Sequence, residues 1–288
     1  MKPAFSLLEV LIALVLIGIL AALLSRGVIV QGRAAAEVSA RTEARRVLRA
    51  AAAPLIGELR QAIIEEDAAL SLVRDTLRIR TVIASGAACV AHDGRLALLS
   101  SGPVAPLAVW HSVPDARDAL LLLQPHDPGD TCDRWSETSV VGASVASYPP
   151  PCAGTAGGGS TLILAPGSPA SAPAGDTTLV QAVRRVAWRL TNSADGWYLS
   201  RTRCDAASGI AAPVCDPTQP VAGPLLSPAA GGLRLRPLAA DGTPLPAALQ
   251  SSARAVELQL VAPVAVRRAG SAPHESLHVV VPLPRPCS

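Results

Sequence analysis

Glu9 is the residue whose chemistry is hardest to place. It stands inside AFSLLEVLIALVLIGILAAL, residues 4–23, a run that is otherwise hydrocarbon and begins after only a few residues. A carboxylate in hydrocarbon costs on the order of 3 kcal/mol on insertion scales, so it marks a functional position by default. The second group is six cysteines, Cys89, Cys132, Cys152, Cys204, Cys215 and Cys287. None forms a Cys-x-x-Cys pair, which disfavours a zinc ribbon or a thioredoxin-like site. In an exported chain such cysteines pair as disulfides. Cys204 and Cys215 bracket a short Ala/Gly/Pro loop and Cys132 and Cys152 bracket another, which leaves Cys89 with Cys287.

Other residue groups are weaker candidates. HDPGDTCD offers Asp127, Asp130 and Asp133 in a Gly/Pro loop. Calcium favours oxygen-rich loops, but the spacing is not that of an EF-hand, and an acidic solvated turn is the preferred reading. His274 and His278 have helical ligand spacing, yet LHVVVPL around them reads as a strand, where that spacing separates them. GTAGGGST (residues 154–161) lacks the lysine and the following helix of a phosphate loop. There is no Gly-x-Ser-x-Gly elbow, and no histidine is singled out as a base. No enzymatic activity, cofactor or metal is therefore expected. Arg184, Arg185, Arg189, Arg201 and Arg203 could contact phosphates, although a solvated strand face is the usual explanation. The formal net charge of +3 gives no broader case for nucleic acid.

The elements that position these residues begin with a span. Phe5–Leu24 carries one charge and is about 30 Å long as a helix, enough to cross a bilayer core. A secretory signal would have a longer basic head and a small-residue cleavage site just after the apolar run. The Ala-x-Ala candidate, Ala34–Ala36, falls too late. The helical pattern then continues to about Leu72, with Ala44, Val47, Leu48, Ala51, Leu55, Leu59, Ala62 and Ile63 recurring on one face. Pro54 is expected to kink it, and Gly27 and Gly32 to loosen it at the membrane exit.

From residue 73 short apolar or alternating runs are separated by Gly, Pro, Asp and Ser. Candidate strands are Leu77–Ile83, Arg95–Leu99, Ala119–Gln124, Thr161–Leu164, Val183–Leu190, Trp197–Arg203, Leu233–Arg236, Ala255–Val261 and Leu277–Leu283. In VRRVAWRLTNSADGWYLSRTR, Val186, Trp188 and Leu190 alternate with Ala187 and Arg189, and Asp195-Gly196 provides the turn of a hairpin. Segments 142–159 and 165–176, rich in Gly, Ala, Pro and Ser, read as surface loops. Half of the residues are hydrophobic but only 2% aromatic, so the core must be aliphatic and Ala-rich.

The stretch Ala4–Leu14, AFSLLEVLIAL, resembles the N-terminus of type IV pilin-like proteins, which include major and minor pilins and the pseudopilins of type II secretion. The resemblance implies cleavage between Ala4 and Phe5 by a prepilin peptidase, N-methylation of Phe5, and an assembly role for Glu9 as fifth residue of the mature chain. Two departures stand out: Ala4 where Gly is usual, and Arg26 where major pilins carry a helix-bending Pro. The implied fold is α+β, a long N-terminal hydrophobic helix packed on an antiparallel β-rich head. The implied organisation is a leader (1–4), a membrane and filament-core helix (5–32), its amphipathic continuation (33–72) and a head (73–288). LIGELRQA (55–62), ARDALLLLQP (116–125) and LSRTR (199–203) resemble PilW-like minor pilins and J-type pseudopilins. The expected partners are other pilin-like subunits, the peptidase and the bacterial inner membrane, with the head in the periplasm. The alternative is a tip pilin that binds DNA or a surface.

Overall fold

The computed structural model of the chain describes residues 7–63, 70–73, 76–90, 93–99, 108–124, 135–146, 161–168, 177–205, 214–246, 252–265 and 273–283. It opens with one helix, α1, Leu7–Arg60, about 80 Å long at 1.5 Å per residue. Good helix formers fill it, and the two halves differ in what surrounds them. In the first half the large apolar side chains from Leu11 to Val30 are each more than half exposed. In the second half Ala44, Leu48, Ala51, Ala52, Leu55 and Leu59 are buried, the face that the three- and four-residue spacing predicts. Pro54 lies within the helix and is exposed. Its missing N–H therefore frees the Ala50 carbonyl on the wet side, where water can satisfy it.

The helix stops at Arg60, short of the residue 72 expected from sequence. Gln61 and Ala62 bond back three residues, to Glu58 and Leu59, tightening the last turn. The backbone is then taken up by a strand: Ile63 N–H donates to the Arg80 carbonyl (2.9 Å), and Val82 N–H donates to that of Gln61 (3.1 Å). The apolar periodicity outlives the helix, because Ala62 and Ile63 still pack inward in an extended conformation.

Thirteen strands follow among the described residues: β1 Leu70–Val73, β2 Thr76–Val90, β3 Leu96–Leu99, β4 Ala108–Trp110, β5 Ala119–Leu123, β6 Trp135–Ala146, β7 Thr161–Pro166, β8 Thr177–Ser193, β9 Gly196–Cys204, β10 Gln219–Leu225, β11 Leu233–Leu238, β12 Ala255–Pro263 and β13 His274–Pro282. Nine overlap the predicted strands. The others, β1, β4, β6 and β10, were not predicted, and residues 142–146 of an expected loop are the end of β6. The Asp195-Gly196 turn is placed one residue earlier: Ser193 pairs with Gly196 across Ala194 and Asp195, and Gly196 takes φ +135°.

The pairings β2–β3, β3–β7, β7–β6, β6–β5, β5–β8 and β8–β2 are all antiparallel and close a six-stranded ring. Its interior is filled by aliphatic side chains from every strand, among them Ala84, Leu98, Leu120, Val140, Leu162 and Val180. β8 is long enough to serve two cores. Val180 and Ala182 point into the ring. Val186, Trp188 and Leu190, of the same parity, meet α1. A smaller sheet, β11–β12–β13, contributes Val256, Leu258, Leu260 and Val281 to the same helix core. The second half of α1 is thus packed with residues of β2, β8 and β9 and with a separate three-stranded sheet. The fold is α+β, a long apolar helix on a large antiparallel head.

Candidate functional site

The site that the sequence singles out is the first half of α1. Glu9 lies in the helix, with its side chain outside the described residues; Ala4 and Phe5 lie outside them as well. After Glu9 the next charged residue is Arg26, and the large aliphatic side chains described between them, Leu11 to Leu24, are each more than half exposed. Removing such a side chain from water is worth about 1.5–3 kcal/mol each. A surface of this size is stable only in lipid or against other apolar helices. The helix is long and apolar enough to cross a membrane. Burial in the head begins at Ala44, so about 30 Å of helix separates Leu24 from the head.

Among the described residues a polar clamp centred on Glu58 joins the helix to the head. Trp188 Nε1–H donates to Glu58 Oε2 at 2.6 Å, and Arg201 Nε donates to Glu58 Oε1 at 2.7 Å. Trp188 is fully buried, so its N–H needs this acceptor. Glu58 joins α1 to β8 and β9 in one step. A further link, Arg45 Nε to Glu275 Oε2 at 3.2 Å, ties α1 to β13, but Arg45 is exposed and the pair adds little stability.

The arginines of the β8–β9 hairpin do not form one surface. Strand alternation places Arg184, Arg201 and Arg203 with the inward-facing residues and Arg185 and Arg189 on the opposite side. Arg184 grips Asp118 bidentately, at 2.9 and 2.8 Å, and the Asp118 side chain is wholly buried. Arg203 bonds Asp118 at 2.9 Å and also Asp115. The Arg203 hydrogen bond holds the Asp115 carboxyl below its ordinary pKa, against an opposing effect of burial. Arg201 is held by Glu58, and Arg189 donates to Thr218 Oγ1 at 2.7 Å. Arg185 stands directly opposite Arg80 on β2; burial, then the charge of Arg80, lowers its pKa.

Beside this network Cys204 and Cys215 form a disulfide. They face each other as an isolated antiparallel bridge. The flanking pairs make the hydrogen bonds, Asp205 N–H to Val214 O at 3.0 Å and Asp216 N–H to Arg203 O at 2.8 Å. The cysteines therefore occupy the closely spaced, non-bonded position of the ladder. Arg117 braces the same two segments, donating to Asp205 at 2.6 Å, to Asp216 and to the Val214 carbonyl at 3.2 Å. Cys89 is also disulfide-bonded, whereas Cys132, Cys152 and Cys287 lie outside the described residues.

Asp127, Asp130 and Asp133 likewise fall outside them. His274 and His278 sit on β13, about 13 Å apart, with His278 Nδ1 3.5 Å from Glu257 Oε1. Among the described residues no group of three or more His, Cys, Asp or Glu side chains could hold a metal. Asp118 and Arg117 were not predicted as functional residues; the visible signal was the charged start of ARDALLLL before a wholly apolar strand. Nothing in the apolar periodicity of α1 marks Glu58, which links the helix to β8 and β9.

Residues 2–25 match the family model of the prokaryotic N-terminal methylation motif. The match spans the Ala4–Phe5 junction, Glu9 and most of the apolar run, and it supports a type IV pilin-like protein. It implies processing by a prepilin peptidase and assembly with other pilin subunits. No curated protein and no solved structure matches the chain.

Proposed function

We propose that the chain is a non-catalytic minor subunit of a type IV pilus or a type II secretion pseudopilus, positioned near the filament tip. The observation that carries this reading is the bare first half of α1, which bears the methylation motif and leaves its aliphatic side chains without cover from the head. In the membrane, lipid covers them. In a filament, the helices of neighbouring subunits do so.

Glu9 sets the register of that bundle. Buried among helices, its carboxylate needs a cation, and the methylated amine of a neighbouring subunit's first residue is the available partner. No Lys or Arg lies between Phe5 and Ser25. The head stands in the periplasm, and its large ring with long connections suits a low-copy component better than a repeating shaft.

The DNA-binding alternative loses its main support, because Arg184, Arg201 and Arg203 are engaged by carboxylates of the chain itself. The test is Glu9→Ala. The variant is expected to insert normally, since its span is more apolar, and to be depleted from the sheared-filament fraction relative to the membrane fraction. Wild-type amounts in the filaments would remove the register role.

A further inference from the structure

We propose that the outer edge of β13 docks an extended segment of a neighbouring subunit, which adds a fourth strand to the β11–β12–β13 sheet. β13 pairs with β12 in unbroken register, from Pro263↔His274 to Ala255↔Pro282. Two bonds at the ends of this ladder fix which backbone groups face which way. Val264 N–H donates to Pro273 O at 2.9 Å, and Leu283 N–H to Arg254 O at 2.9 Å. Bonded and non-bonded pairs alternate in an antiparallel ladder. Glu275, Leu277, Val279 and Val281 therefore bond to β12. His274, Ser276, His278 and Val280 aim their N–H and C=O groups away from it. Among the described residues no strand takes them up.

Among the described residues the other edges are short or blunted. The six-stranded ring closes on itself. β10 carries Pro220 and Pro224 and breaks register with β9 twice, β1 is four residues long, and Thr243–Leu245 covers the end of β11. β13 has no Pro, Gly, Lys or Arg between its first and last residues, and its one acid, Glu275, is turned to Arg45 on α1. Folded chains protect long flat edges unless they use them, and strand addition is the use that an open edge of about 30 Å fits.

The position of the strand indicates the occupant. β13 packs on α1 where the helix enters the head, so a subunit whose helix lies along α1 is brought beside this edge. The inference rests in that respect on the assembly reading, and Glu9→Ala tests that reading separately.

The experiment uses the full chain in cells that assemble filaments, with Ser276→Pro and Ser276→Ala. Proline removes an outward N–H and no ladder bond, and edge strands tolerate it. Ser276→Pro is expected to unfold at the wild-type temperature in detergent and to fall at least roughly tenfold in the filament fraction, the equivalent of one or two lost ladder bonds. Ser276→Ala is expected to assemble normally. Wild-type incorporation of Ser276→Pro, with Glu9→Ala still excluded, overturns the docking site and leaves the assembly reading standing. Should Ser276→Pro unfold early, Ser276→Cys cross-linked in intact filaments decides. A product joining this chain to a different subunit supports the proposal. Recovery of no cross-link, or only of one to the chain itself, overturns it.

Discussion

Truncating Glu58 tests whether the clamp holds the helix in the head. Glu58→Ala leaves the Trp188 N–H buried without the acceptor it has at 2.6 Å, at a cost of about 1–3 kcal/mol. It also frees the Arg201 guanidinium, which is partly exposed, so water recovers most of that loss. A total of about 2–3 kcal/mol is expected. Trp188→Phe removes the donor instead and costs packing besides. The double variant should therefore cost less than the sum of the single ones, with a coupling of at least about 1 kcal/mol. The assay is urea unfolding of the full chain in detergent, followed by tryptophan fluorescence for Glu58→Ala and by circular dichroism for the Trp188 variants. Strict additivity, or a loss below about 0.5 kcal/mol for Glu58→Ala, would refute the clamp as an energetic link.

Asp118→Ala strands Arg184, which is mostly buried, leaves Arg203 with Asp115 alone, and is expected to cost about 3–5 kcal/mol, read from the same urea midpoints. Replacing Cys204 and Cys215 by serine opens a loop closed over a separation of 11 residues and should cost up to about 3 kcal/mol. Arg117 should keep the two segments aligned, so amide exchange at Asp205 and Asp216 should stay slow. Asp115 has a folded pKa below its unfolded value, so its contribution is fully present above that unfolded value and is lost as pH falls through the folded one. Stability should thus drop below about pH 4, and Arg203→Gln should flatten that part of the curve in thermal melts taken between pH 5 and 2.

The helix and its buried face were legible because Ala44, Leu48, Ala51, Leu55 and Leu59 repeat at helical spacing over many turns, a signal that averages out local exceptions. Its end was not. Ala62 and Ile63 keep the apolar rhythm while the backbone on either side of Ala62, at Gln61 and Ile63, bonds to β2, and periodicity alone cannot tell those two states apart. The closed ring was illegible for a related reason. β6 contains Trp135, Glu137, Val140 and Gly142 with a break in register between Val140 and Gly142, so the alternation that marks a strand is interrupted. The hairpin could be read because Val186, Trp188 and Leu190 alternate without interruption. The roles of its arginines depend on Asp115 and Asp118, which are distant in sequence, and on Glu58 in the helix. Composition near Arg203 carries no trace of that pairing. The cross-strand disulfide was legible because Cys204 and Cys215 lie close together in sequence after a well-marked strand.

The most direct test of the central claim is the mature N-terminus. Mass spectrometry of the protein extracted from membranes should find a chain that begins at Phe5 and carries a methyl group on its amine. The same species should be recovered from sheared filaments. A chain that begins near residue 37, or one that keeps Met1–Ala4 in cells with an active prepilin peptidase, would contradict the account.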